Sequence, residues 1–266
     1  MPPLRLTELS IYPIKSARGI SLASAQVTEH GLQYDRRWML VDENGAFLTQ
    51  RKIPRMALIT VELAPDLLVV RAPGINDLGL PLQPQPSSTV RVKIWDDTVE
   101  ALSTGEDAGG WFTNYLGLPC NLVYMPDTAH RTVKPKYGDN RVSFADAFPF
   151  LLISEESLGD LNNRLENPVP MNRFRPNLIV SGCRPYEEDE WHEIRIGSIT
   201  FRLVKPCARC TIPGVDQVTG VQGKEPIRTL ATYRSRDGKV LFGQNVVHEG
   251  TGVLSAGDHV EVVTRR

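Results

Sequence analysis

Proline and glycine punctuate this chain from end to end, 20 of the first and 21 of the second in 266 residues. Breakers spread so evenly favour short strands and many turns over long helices. Between them the apolar residues alternate. Residues 4–101 read as β-rich: Leu4 and Leu6 alternate, then Leu9 and Ile11 continue on a shifted phase, which calls for a bulge or bend. Asn44-Gly45 separates the apolar runs 38–41 and 46–49 and marks a hairpin, because both positions tolerate positive φ. Further strand pairs are expected at 56–63 with 67–70, and at 90–94 with the stretch from Val99, with 72–88 as a loop. Short strands at such spacing suggest a small barrel or sandwich.

Helices are expected over 107–116, capped by Ser103 or Thr104, from Ser154 to about 167, and from about 224 to Tyr233 with Pro226 in the first turn. A tight hairpin sets Ile194 and Ile196 against Ile199, Phe201 and Leu203 across Gly197-Ser198. The reading is mixed α/β and β-rich, with domains 1–120 and 121–266, the division falling between 102 and 145. A formal net charge of -1 gives no electrostatic case for nucleic acid or an anionic membrane as partner. No stretch approaches the ~20 apolar residues of a membrane span. The first residues run straight into a strand pattern, so no signal or transit segment is expected, and four cysteines, two of them at a reactive-looking spacing, fit a reducing compartment better than a disulfide scaffold. The expected location is the cytoplasm.

The chemistry concentrates in Lys205-Pro206-Cys207-Ala208-Arg209-Cys210. C-x-x-C spacing is compatible with a redox dithiol, half a zinc site or a single metal-ligating cysteine, and Arg209 and Lys205 would lower a thiol pKa beside them. Structural zinc needs four ligands. Cys120 and Cys183 form no second pair, and the five histidines show no ligand spacing. Cys183, after an apolar strand, reads as a small buried hydrophobe. Three basic clusters end strands: Lys15-Ser16, Asp35-Arg36-Arg37, and Arg173 to Asn177 with Arg175 between. Arginine forks with a lysine and a hydroxyl suit a phosphate or polar heterocycle, with solvent exposure as the plain alternative. Asp216 reads first as a turn cap and second as a proton relay. Gln244-Asn245 reads as edge capping or cofactor hydrogen bonding. The acidic run 187–190 with Trp191 reads as a surface loop able to dock a basic redox partner.

In order along the chain, 12–16, 31–39, 172–177, 205–210, 224–226 and 241–244 resemble the motifs of MOSC-domain proteins preceded by their N-terminal β-barrel domain. The branch they resemble is the molybdenum-dependent reductases of N-hydroxylated compounds. That resemblance implies a MOSC domain with a β-barrel core and flanking helices. It implies a molybdenum–molybdopterin cofactor whose metal takes Cys210 as its protein ligand. Lys15, Ser16, Arg36, Arg175 and Asn177 would hold phosphate and pterin, with Ala208 and Asn245 completing the cradle. Cys210 and Asp216 are the catalytic candidates. Hydroxylaminopurines, amidoximes or hydroxylamines would be reduced, with electrons from a separate flavin reductase, ferredoxin or b-type cytochrome. Pro213-Gly214 stands where relatives often carry two threonines, and Ala208 where a serine is common. The chain shows no C-terminal ferredoxin-like cysteine cluster and no N-terminal membrane anchor. The alternative is a sulfur-carrier or cofactor-delivery module using Cys210, as in the MOSC domain of molybdenum-cofactor sulfurases.

Overall fold

In the first strand, Arg5–Ile11, the register against Leu178–Ser181 slips between Leu6 and Glu8. This is the bulge that the phase shift implied, and it lets Leu6, Leu9 and Ile11 all reach the core. The computed structural model describes residues 2–85 and 88–266. Its largest sheet runs in the order Val260–Arg265, Trp191–Ile196, Ile199–Ala208, Lys239–Glu249, Phe150–Ser154, Leu178–Ser181, Arg5–Ile11 and Ile20–Leu22, with Ser235–Arg236 beside Lys239–Glu249. Phe150–Ser154 and Leu178–Ser181 pair in parallel, which demands a crossover, and helix Glu155–Asn162 lies in it. The other three sheets are Trp38–Val41 with Asn121–Tyr124, Asp97–Ser103 and Thr89–Ile94; Thr60–Leu63 with Leu67–Arg71 and Leu78–Pro81; and Gly252–Ser255 with Ser24–Thr28 and Gly31–Leu32. The molecule is β-rich mixed α/β, as expected.

The two halves of the chain are interleaved. Arg5–Ile11 pairs with Leu178–Ser181, Ser24–Thr28 pairs with Gly252–Ser255, and Asn121–Tyr124 pairs back onto Trp38–Val41. Helix Glu106–Leu116 buries Ala108, Phe112, Tyr115 and Leu116 in a core shared with Trp38, Leu40 and Met56. Full burial of one such apolar side chain contributes about 1.5–3 kcal/mol. A separate core under the large sheet gathers Leu9, Phe150, Trp191, Phe201 and Val246.

Several local expectations need correction. The cap of helix Glu106–Leu116 is Gly105, at φ 96, with no side-chain bond. Thr104 Oγ1 instead donates to the Leu122 carbonyl at 2.9 Å, and Glu106 and Asp107 supply the negative charge its first turn favours. Ser154 does cap its helix, accepting from the Ser157 N–H, but that helix ends at Asn162, whose amide turns to bond both backbone groups of Val169. The third helix is shorter than expected, Ile227–Ala231. The 72–88 loop contains the strand Leu78–Pro81, and its Pro86 and Ser87, like Met1, lie outside the described residues. Gly45 makes its left-handed turn, and the return arm meets the first through the Val41–Phe47 bridge while Ala46 bridges to Lys93; the regular ladder on Trp38–Val41 is made by Asn121–Tyr124.

The acidic run is not a free surface loop. Trp191 is buried, and buried Glu188 accepts from the hydroxyls of Ser154 (3.0 Å) and Ser157 (2.7 Å). Glu187 pairs with Arg265 at 2.7 Å and Asp189 with Arg234 at 2.5 Å. Glu190 is exposed but pairs with Arg184 and Arg265, so each charge of the run has a partner and no unpaired negative docking patch forms there. Cys183 is buried as expected, and burial pushes its thiol pKa far upward.

Candidate active site

The first strand ends at Ile11, and the chain then turns so that Tyr12 sits at the centre of a cation cluster. Its ring is 2% exposed, its hydroxyl donates to the Pro176 carbonyl at 3.0 Å, and its N–H donates to Asp35 Oδ1 at 2.8 Å. Two guanidinium groups lie on this ring: Arg36 at 4.4 Å and Arg175 at 4.2 Å from the centroid. Such contacts contribute about 0.5–2 kcal/mol each and let two like charges share a buried space. A Cβ on Gly19 would lie 2.3 Å from Tyr12 Cε1, so the ring is gripped at its edge as well. Burial pushes the Tyr12 hydroxyl up to about 12 against the pull of both arginines, so it stays neutral.

The backbone beneath these cations is strained. Ser16 (φ 66), Arg36 (φ 50) and Arg175 (φ 59) all sit in the left-handed region. That region is uncommon for non-glycine residues and costs on the order of 1–3 kcal/mol at each such site. The surroundings hold each in place. Arg36 donates to Asp35 Oδ2 at 2.6 Å and to Asn177 Oδ1 at 3.0 Å, and Arg175 donates to the Ala17 carbonyl at 2.6 Å. Burial lowers Arg175 to about 10, still protonated at neutral pH. Lys15 donates to the Phe144 carbonyl at 2.7 Å and to Asp146 Oδ1 at 2.5 Å. Its burial, helped by Arg131 and Arg36 and resisted by Asp146, brings it down to about 8.

A cavity opens above this floor. All eight residues expected to bind a cofactor line it: Lys15, Ser16, Arg36, Arg175, Asn177, Ala208, Cys210 and Asn245. They arrive from both halves of the chain. Ala208 ends strand Ile199–Ala208, and Asn245 lies opposite on Lys239–Glu249, donating to the Pro206 carbonyl at 3.3 Å. The Asn177 side chain accepts from Arg36 and the Leu151 N–H and donates to the Ser10 carbonyl at 3.1 Å. It stitches neighbouring strands and aims Arg36.

Asp216 stands apart from the cavity. Its Oδ1 accepts from the backbone of Val218 and Thr219 at 2.9 and 2.8 Å, and these bonds hold its carboxyl below the usual range. Its Oδ2 takes Arg173 Nη1 at 3.2 Å, while Arg173 Nε donates to the Pro213 carbonyl at 2.7 Å. The pair clamps the segment that follows Cys210.

Of the two cations expected beside the cysteines, Arg209 is there and Lys205 is not. Arg209 reaches Cys207 Sγ at 3.2 Å, Lys205 lies over the Tyr137 and Phe148 rings, and the cation beside Cys210 Sγ is Arg51, at 3.9 Å. Arg51 comes from the irregular segment after Thr49 and has no strand-end pattern to signal it. Asp146, which holds Lys15, was missed for the same reason. All four cysteines are free.

The donor set fits an anionic ligand. Five cationic side chains line the cavity against one carboxylate, Asp146. Among the described residues no cluster of three or more His, Cys, Asp or Glu is placed to hold a metal ion. A metal at Cys210 must therefore bring its remaining donors with it, and a thiolate selects a soft metal.

The cavity is floored by cations, closed by strands of two interleaved halves, and carries the thiols of Cys207 and Cys210 at its wall. Residues 4–119 match the MOSC N-terminal beta barrel domain and residues 139–261 the MOSC domain, so the chain belongs to the MOSC family. It is 37% identical over 275 residues to mitochondrial amidoxime-reducing component 1 of Mus musculus, covering 96% of this chain and 81% of that protein. The Homo sapiens protein of that name is 36% identical over 275 residues, with 96% and 82% covered. A molybdenum cofactor sulfurase of Oryza sativa subsp. japonica is 35% identical over 264 residues, covering 90% of this chain but only 32% of the sulfurase. Among the described residues no helix is long and apolar enough to cross a membrane.

Proposed function

We propose that this chain is a molybdenum-cofactor oxidoreductase that reduces N-hydroxylated compounds, with electrons delivered by a separate redox protein. The observation that supports it most is the pair Arg36 and Arg175, both in left-handed backbone and both stacked on Tyr12, opening on the same cavity as Cys210. Strain of this kind persists where the surroundings over-determine a functional geometry. Relatives at 34–37% identity that carry the name amidoxime-reducing component point to the same chemistry.

In this reading Lys15, Ser16, Arg36 and Arg175 bind the phosphate and pterin of molybdopterin, with the Ala208 backbone and Asn245 completing the cradle, and Cys210 ligates the molybdenum. The bound cofactor supplies the two-electron oxygen-atom chemistry. An N-hydroxylated substrate, two electrons and two protons give the amine and water. Arg36 and Lys15 neutralise cofactor charge at the floor, Asn177 fixes the aim of Arg36, and the Asp216–Arg173 clamp holds the segment after Cys210 in place. Asp216 acts here through that clamp.

Incubation of molybdenum-loaded protein with a hydroxylaminopurine and a chemically reduced dye tests this reading. The account expects the aminopurine to form with two electrons consumed per turnover. Full metal loading with no reduction contradicts it, and persulfide accumulating on Cys210 without molybdenum favours the carrier alternative.

A further inference from the structure

The hairpin between Thr89–Ile94 and Asp97–Ser103 closes through two residues, Trp95 and Asp96. Its first central position carries positive φ, where glycine is the usual occupant. Here it is Trp95, at φ 55, with half its surface open to solvent. A large aromatic in that conformation is an outlier, and this one is tied to two residues that line the cavity, Asp146 and Arg51. Its Nε1 donates to Asp146 Oδ1 at 3.2 Å, the oxygen that also binds Lys15. The Arg51 guanidinium lies 4.5 Å from its ring, with Phe47 packed against the same ring at 5.2 Å. Arg51 in turn reaches Cys210 Sγ at 3.9 Å. Arg51 and Asp146 line the cavity with Cys210, and the half-exposed indole lies just outside that lining, against both of them.

We propose that Trp95 is a specificity-determining residue: a stacking platform that selects planar aromatic or heteroaromatic N-hydroxylated substrates over alkyl hydroxylamines, with Arg51 as the fork that orients their N–O group beside Cys210. This rests on the reductase reading above and names its substrate class. An indole offers area and a π face to any flat ring, whereas an alkyl chain gains much less from it. Asp146 and Arg51 fix the platform from two sides, so little side-chain freedom is lost when a ring settles on it.

The test compares wild type, Trp95→Ala, Trp95→Phe and Arg51→Met in molybdenum-loaded full-length protein. Molybdenum per chain is measured for each, with kcat and KM for an aryl amidoxime and an alkyl hydroxylamine. In Trp95→Ala the aryl-to-alkyl ratio of kcat/KM is expected to fall about tenfold through KM, in line with the usual worth of ring stacking. Trp95→Phe restores most of the ratio, and molybdenum content stays at the wild-type level. A second readout is independent of turnover: an aryl amidine product quenches tryptophan emission in wild type, and the quenching disappears in Trp95→Phe. An unchanged ratio and unchanged quenching, in protein that is fully loaded and active, overturn the platform and leave the reductase reading standing. Wild-type protein that takes up no molybdenum overturns both.

Discussion

The floor of the cavity and its rim are built on opposite terms. At the floor, Tyr12, Lys15, Ser16, Arg36, Arg175 and Asn177 are buried or nearly so, and every long side chain has fixed partners. At the rim, Cys207 and Cys210 are half-buried and outside any disulfide, Trp95 is half-exposed, and the Arg51 guanidinium lies against the Phe47 and Trp95 rings and the Cys210 sulfur. The floor stores strain in three left-handed residues and holds close cations apart around one ring. A preorganised cationic pocket of that kind suits a ligand that arrives once and stays. The looser rim suits molecules that exchange at every turnover. On the proposed function, cofactor binding and reaction are thus separated by burial within a single cavity.

The largest expected effect comes from breaking the floor at its centre. Tyr12→Ala removes a buried ring and leaves two guanidinium groups facing one another. A loss of about 3–5 kcal/mol in denaturant-measured stability is expected, with no retained molybdenum. A loss below 1 kcal/mol would show that the ring does not organise the cations.

The backbone strain is sharpened by a pair of variants at Arg175. Glycine accepts φ 59 and alanine does not, so Arg175→Gly should exceed Arg175→Ala in stability by about 1 kcal/mol, while both lose molybdenum. Equal melting temperatures would remove the strain argument.

Lys15 gives a pH dependence with two opposite signs. Its native pKa, brought down to about 8 by burial, lies below the ordinary lysine value, so between them the unfolded chain binds the extra proton. The stability of cofactor-free protein, relative to Lys15→Met, should therefore rise from pH 8 towards pH 10. On the proposed function the retained cofactor should loosen over the same range, because the cation assigned to its phosphate is lost. Stability and metal retention moving together would contradict the assignment.

The smallest effect separates the clamp from the chemistry. Asp216→Asn removes charge from the Arg173 pair and weakens the turn at Val218 and Thr219, at about 1 kcal/mol of stability. Molybdenum content should stay near that of wild type. A collapse of turnover in a stable, loaded Asp216→Asn protein would return Asp216 to the reaction.

Much of this was legible in the chain because the signals are local. The shifted phase of Leu9 and Ile11, the Ser154 cap and the Gly197-Ser198 turn each depend on residues a few positions apart. The strand-end cations at 15, 36 and 175 stood out because loops at strand ends aim side chains into clefts. What escaped was long-range. Glu188 meets Ser154 and Ser157 from more than 30 positions away, and Glu187 meets Arg265 from 78, so the acidic run reads as solvated until the fold closes. Arg51 and Asp146 lie in irregular segments with no periodicity to mark them, and become significant only when Lys15 and Cys210 are brought beside them. Interleaved pairing, with Ser24–Thr28 against Gly252–Ser255, is likewise invisible to local pattern.

Metal analysis of three proteins made in a molybdenum-replete host, wild type, Cys207→Ala and Cys210→Ala, tests the central assignment most directly. Ligation through one thiolate gives about one molybdenum per chain in the first two and almost none in the third. Equal molybdenum in Cys210→Ala and wild type, or its loss in Cys207→Ala alone, would contradict the account.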